Sequence, residues 1–143
     1  MAVGIYALAI ILWVVLIMWT YNNLKMLENN KTKIIYLGLG ILILSIITFI
    51  VFNISKIGIE YPKSEMVLHV RNMALLIFIP INGFIIMPYI ALLIAKLEIG
   101  EIDTDKFRKK AILILLIFAI IMLLECSYLK NFQNGILNIY KMS

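Results

Sequence analysis

Apolar residues fall into four long runs that are separated by short polar stretches. The runs cover about residues 2–20, 34–54, 66–97 and 106–128. Because a helix rises about 1.5 Å per residue, a run of about 20 residues crosses the roughly 30 Å hydrocarbon core of a bilayer. The pattern predicts an all-α integral membrane protein, a four-transmembrane-helix bundle that forms one domain over residues 1–143.

The third run contains residues that disturb a helix near its middle. Pro80 and Pro88 each lack the N–H that a helix uses, and each crowds the carbonyl group four residues before it. Asn82 and Gly83 lie between the prolines and offer hydrogen bonds and close helix approach. We therefore expect a Pro-broken third helix, either kinked for packing or unwound around a polar cavity of the kind that transporters use.

Smaller signals concern the other helices and their ends. Gly100 is expected to end the third helix and Asp103 to cap the fourth, while Ser64 is a candidate cap at the start of the third. Ser45 and Thr48 lie on one face of the second run, where they favour helix packing over the lining of a permeation path.

The composition agrees with a chain that is solvated by lipid. AVILMFWYC residues make up 64% of the chain and the mean hydropathy is +1.04, which is too apolar for a soluble globule. One cysteine, Cys126, and one histidine, His69, leave no pair for a disulfide, a metal or a haem. The sequence thus predicts a lipid bilayer as partner, no metal, no cofactor and no nucleic acid.

The basic residues predict the orientation of the chain. Eight of the 13 lysines and arginines lie in or beside the first and third loops, so loops 21–33 and 98–110 are expected in the cytoplasm and both termini outside. The densest basic cluster precedes the fourth run and is expected to contact anionic lipid headgroups. It consists of Lys106, Arg108, Lys109 and Lys110.

Candidate functional residues are the polar side chains at the mouth or in the interior of the third and fourth runs. They are Glu65, His69, Arg71, Asn72, Asn82 and Glu125. Glu65 and His69 are four residues apart, a spacing that suits either a proton relay or an ordinary surface contact. Glu125 is expected to be ionised and paired with Arg71. The alternatives are pairing with His69, or a neutral acid bonded to a backbone carbonyl.

No motif specifies a reaction or a ligand, and three classes of function stay open. The first is a non-catalytic membrane component, such as an accessory, assembly or immunity-type subunit, acting with a partner membrane protein or as a homo-oligomer. The second is an oligomeric small transporter or channel that uses the broken third helix. The third is an intramembrane enzyme in which His69 works with Glu65 or Glu125. We favour the first.

Overall fold

The computed structural model describes residues 2–54 and 65–142, and the protein is all-helical, with 92% helix. Four helices follow one another along the chain: α1 (Ala2–Lys25), α2 (Asn30–Ile54), α3 (Glu65–Glu98) and α4 (Thr104–Met142). Each is long and apolar enough to cross a membrane. The predicted all-α fold with four apolar helices is therefore confirmed.

Helix α3 is the central element of the fold. It packs against α1, α2 and α4, whereas α1 and α2 make few close contacts with each other although they are neighbours in the chain. In an 18-residue apolar stretch of α3, 56% of the residues are buried inside the protein, compared with 22% in the corresponding stretch of α2 and 11% in those of α1 and α4. The outer helices thus cover α3 and leave their own apolar side chains facing outward.

Helices α1 and α3 run parallel, because Ile5 near the start of α1 packs against Val70 near the start of α3. Helices α2 and α4 run in the opposite direction. At the end of α3, the Glu98 carboxylate accepts hydrogen bonds from the backbone N–H groups of Glu28 and Asn29. The α1–α2 turn and the α3–α4 turn therefore lie at the same end of the protein.

The predicted break in the third helix is not confirmed. Helix α3 is continuous from Glu65 to Glu98, with Pro80 and Pro88 inside it. A proline removes one hydrogen bond of the helical ladder and leaves the others in place. Because α3 is held by three neighbouring helices, tertiary packing supports the helix through both prolines.

Helix α4 extends well beyond the end that the apolar run predicted near residue 128. Its inward face continues through Leu129 and Gln133, both buried at about 1% exposure. These residues are one helical turn apart, so they share a face. Apolar run length locates the part of a helix that lipid can cover, and it does not show that α4 continues beyond that part.

The α3–α4 turn has the caps that the sequence predicted. Gly100 has φ of 78°, a left-handed conformation that glycine adopts without strain, and the Glu101 N–H donates to the Lys96 carbonyl at 3.0 Å. The Asp103 carboxylate accepts a hydrogen bond of 2.8 Å from the Lys106 N–H at the start of α4. Both predictions are confirmed, whereas Ser64 lies outside the described residues.

Candidate functional site

Asn82 is the most deeply buried polar residue of α3, with 0% exposure. Its side-chain Nδ2 donates to the Phe78 carbonyl oxygen, one turn earlier in α3, at 2.8 Å. Its Oδ1 is buried and has no hydrogen-bond partner. An amide acceptor in this condition is costly, because burial without a donor forfeits the hydrogen bonds that water would supply.

Glu125 comes from α4 and lies within hydrogen-bonding reach of the Asn82 side chain. Its Oε2 is also buried without a partner. The neighbouring interior is apolar: Met122 and Ile79, three residues before Glu125 and Asn82 in their helices, belong to one buried cluster. Asn82 and Glu125 thus form a two-residue polar site, which we call the Asn82–Glu125 pair.

Helix direction explains why these two side chains meet. In every α-helix the Cα–Cβ bond tilts toward the helix N-terminus. Because α3 and α4 are antiparallel, their side chains tilt in opposite directions along the helix axes, and the register of the two helices brings Asn82 and Glu125 together. The apolar runs alone cannot predict this contact between Asn82 and Glu125, because it depends on the relative direction and register of α3 and α4.

Arg71 does not pair with Glu125 in the structure, contrary to the prediction. Its guanidinium lies over the ring of Phe52 in α2, 4.7 Å from the ring centre, and its Nε is buried without a partner. Asn82, which contacts Glu125, is about 16 Å further along α3 from Arg71 at 1.5 Å per residue. The predicted ion pair is replaced by a cation–π contact for Arg71 and an amide contact for Glu125.

The remaining polar candidates at the start of α3 do not join this site. His69 and Asn72 are both exposed. His69 is about 20 Å along the helix axis from Asn82, so it cannot act together with Glu125 at one reacting atom. The Glu65 side chain lies outside the described part of the chain, so the Glu65–His69 contact stays a prediction.

Gly83 is a point of close packing in the interior. A Cβ atom added there would lie 2.9 Å from Cδ1 of Leu16 in α1 and 3.5 Å from Cδ2 of Leu44 in α2. Three helices therefore meet at a position where an added side chain would force the Leu16 methyl groups to shift. The close helix approach that the sequence predicted at Gly83 is present. Pro80, beside it, is fully buried, and Pro88 is half-buried.

Grooves lie between the outer helices, and two of them bear on the predicted site. The α2–α4 groove has a volume of about 410 Å³ and is lined by apolar side chains, among them Ile46, Ile50 and Leu123, together with Cys126. The second lies between α1 and α2 and includes the hydroxyl-bearing Ser45 and Thr48.

The hydroxyl groups in the α1–α2 groove are already bonded. Those of Ser45 and Thr48 each donate to the carbonyl four residues earlier, at 2.7 Å. They therefore bond to their own helix and do not present free donors to the groove.

The basic cluster lies on the first turns of α4, where the side chains of all four members are exposed. They are Lys106, Arg108, Lys109 and Lys110. Their exposure at the end of the apolar segment leaves them free to contact anionic groups, and their role with lipid stays a prediction.

Sequence reasoning missed a second polar contact near the α1–α2 turn. Asn23 of α1 is buried and its Nδ2 donates to the hydroxyl of Tyr36 in α2 at 3.4 Å. Asn23 had been placed in a loop because the apolar run ends near Thr20. The missed signal was the absence of a helix breaker between Thr20 and Lys25.

No protein family, curated protein or solved structure matches the chain. Among the described residues, no group of three or more His, Cys, Asp or Glu side chains could hold a metal ion.

Proposed function

We propose that the chain is an integral membrane protein that crosses the bilayer four times, with loops 21–33 and 98–110 in the cytoplasm and both termini outside. Four helices of sufficient length and hydropathy support the crossings. The Glu98 contact with the α1–α2 turn supports placing both loops on one side. The excess of lysine and arginine in these loops supports the cytoplasmic side.

Within the membrane, we propose that the protein acts as a non-catalytic component, such as an accessory, assembly or immunity-type subunit. The observation that carries this proposal is the packing at Gly83, where Leu16 and Leu44 close the interior at the middle of α3. A transporter site of the broken-helix type needs unwound backbone and a polar cavity at this level. Here α3 is continuous, and Leu16 and Leu44 pack against it at Gly83.

The outward faces support a role in assembly with lipid and other membrane chains. Exposed apolar side chains cover the outer helices, including Ile10 on α1, Phe49 on α2 and Leu123 on α4. In a bilayer such faces are satisfied by lipid or by a partner helix. We therefore propose that the protein works with a partner membrane protein or as a homo-oligomer.

The test is purification of the tagged chain from its own membranes in a mild detergent, with quantitative mass spectrometry of the proteins that accompany it. If the chain is a component of a larger assembly, a partner protein should co-purify with it at fixed stoichiometry. Deletion of the chain should then lower the abundance of that partner in the membrane. Gly83→Val should weaken the partner's recovery through misfolding, whereas Gly38→Val, the same change at an open position, should preserve it. A chain without stoichiometric partner, whose deletion changes no other membrane protein, contradicts the proposal.

The Asn82–Glu125 pair favours a second candidate, an oligomeric transporter or channel. Carboxyl groups within membrane segments are rare and mark ion or proton pathways in many transporters. The chain reconstituted in vesicles with an internal pH-sensitive or ion-sensitive dye would then carry a flux that Glu125→Gln abolishes. Glu28→Gln, which alters an exposed carboxylate in the α1–α2 turn, is the matched control.

A further inference from the structure

The Asn82–Glu125 pair contains two acceptor oxygens that have no donor. Asn82 Oδ1 and Glu125 Oε2 are both buried and both unpartnered, although their side chains are in contact. Buried oxygens of this kind are usually hydrogen-bonded, and each one left alone costs about 1–3 kcal/mol. Two such acceptor atoms in neighbouring side chains would both be satisfied by one hydrogen atom that bonds one oxygen to the other.

The orientation of the Asn82 amide is determined by its own helix. Its nitrogen faces the Phe78 carbonyl oxygen at 2.8 Å, an arrangement that only the N–H side of the amide can satisfy. A flipped amide would place two acceptors against each other at Phe78. Oδ1 is therefore an acceptor, and the hydrogen it lacks must come from another group.

The apolar segments of the four helices contain no cation that could pair with Glu125. Residues 3–24, 34–54 and 72–95 contain no Lys, Arg, His, Asp or Glu, and Glu125 is the only such residue in 111–129. The nearest basic side chain toward the start of α3, Arg71, lies over Phe52. The other titratable groups in these segments are Cys126, which adjoins Glu125, and the tyrosines Tyr6, Tyr21, Tyr36, Tyr89 and Tyr128.

We propose that Glu125 holds a proton and that the neutral acid forms a two-bond ring with the Asn82 amide. The acid O–H at Oε2 donates to Asn82 Oδ1, and the second N–H of Asn82 Nδ2 donates to Oε1. The first N–H remains on the Phe78 carbonyl oxygen. One proton thus satisfies both orphaned oxygens, and the ligand of this site is H⁺.

This proton-binding site goes beyond the proposed function, because it holds for a component and for a transporter alike. It joins α3 to α4 by two parallel hydrogen bonds in an apolar surrounding, where such bonds are stronger than in water. Deprotonation of Glu125 would place a carboxylate against the Asn82 oxygen, and the apolar segments contain no cation to offset that charge. The hydrogen bonds that the pair forms between α3 and α4 therefore depend on one bound proton.

The direct test is infrared spectroscopy of the full chain in phosphatidylcholine vesicles at pH 7 in potassium buffer. We expect a C=O stretching band of a protonated carboxylic acid that shifts in D₂O and is absent from Glu125→Gln. Glu28→Gln is the matched control and should retain the band, since Glu28 is exposed. Asn82→Leu should shift the band toward the frequency of a free acid, because the acceptor is gone.

A second measurement needs no variant and covers the case in which Asn82→Leu fails to fold. Solid-state NMR of protein with ¹⁵N-labelled asparagine and ¹³C-labelled glutamate should show the Asn82 amide nitrogen coupled to a carboxyl carbon with the shift of a neutral acid. Glu125→Gln can make the same two bonds and should retain the wild-type melting temperature. Glu125→Leu should shift the unfolding equilibrium by about 5- to 30-fold toward the unfolded state.

Three results would overturn the proposal. The first is a spectrum identical in wild type and Glu125→Gln, with no acid band, which would mean that Glu125 is ionised. The second is an acid band that Asn82→Leu leaves unchanged, together with no coupling in NMR. The third is a band that disappears when potassium is exchanged for sodium, which would mean that the two oxygens hold a sodium ion in place of the proton.

Discussion

Replacement of Gly83 by valine is the most direct test of the packing on which the proposed function rests. A Cβ atom at residue 83 already lies 2.9 Å and 3.3 Å from the two δ-methyl groups of Leu16. Valine adds two more carbons at a position where α1, α2 and α3 meet. Either the Leu16 side chain leaves its rotamer or α1 moves away from α3.

The magnitude follows from two opposing terms. Glycine inside a helix costs about 1 kcal/mol relative to alanine, so any side chain at residue 83 recovers part of that cost. Overpacking of a filled core costs about 1–3 kcal/mol. We expect Gly83→Val to be destabilising by about 1–2 kcal/mol net. Gly38→Val, where nothing lies within 4 Å of the new Cβ, should change stability by less than about 0.5 kcal/mol.

The assay is unfolding in mixed micelles by a denaturing detergent, followed by tryptophan fluorescence. The two tryptophans of the chain, Trp13 and Trp19, both lie in α1, and the Trp19 ring is 5.4 Å from that of Phe84 in α3. The signal therefore reports the separation of α1 from α3.

A double mutant isolates the clash itself. Leu16→Ala removes the atoms that the valine meets, so it should reduce the cost of Gly83→Val by about 0.5–3 kcal/mol. Equal stability of Gly83→Val and Gly38→Val would refute the reasoning, because the interior would then have free space at this level. In that case a transporter cavity would become the better explanation.

Three further predictions follow from the structure. In a background without the native cysteine, cysteine at Asn30 should resist an impermeant thiol reagent in intact cells and cysteine at Lys63 should react; the reverse would invert the topology. The effects of Arg71→Leu and Glu125→Gln on stability should add within about 0.5 kcal/mol, since the two residues do not share a contact. A double mutant that recovers stability would instead support the Arg71–Glu125 ion pair. Glu98→Ala should speed amide exchange in the α1–α2 turn and cost about 1 kcal/mol, and unchanged exchange would show that its hydrogen bonds are unimportant.

Those features that depend on local sequence could be predicted. Four apolar runs gave four helices, and Gly100 and Asp103 marked the turn between the last two because their roles depend on backbone conformation within a few residues. The third run is the only one with two prolines in its middle, and it forms α3, the helix that the others surround. A helix with partners on every side can carry an asparagine, a glycine and two prolines that a lipid-facing helix would bear less easily.

The ends of helices and the continuity of α3 depend on contacts between distant segments. Tyr36 of α2 accepts the hydrogen bond of Asn23 in the last turns of α1, and Gln133 is buried in the part of α4 beyond the apolar run. Pro80 disturbs one hydrogen bond locally, but packing of three helices around it decides whether the helix opens. Hydropathy contains none of these contacts, so the apolar runs predicted α1, α2 and α4 too short, and the prolines predicted a break in α3.

The partner of Glu125 shows most clearly what sequence reasoning lacked. Depth in the membrane suggested Arg71, on the assumption that its long side chain reaches inward. Side chains in α3 tilt toward its N-terminus, so Arg71 extends away from Glu125 and toward the Phe52 ring. Asn82 lies about 16 Å further along α3 and meets Glu125 instead, and its amide supplies both a donor and an acceptor. The direction and register of α3 and α4 thus decide which side chain meets Glu125.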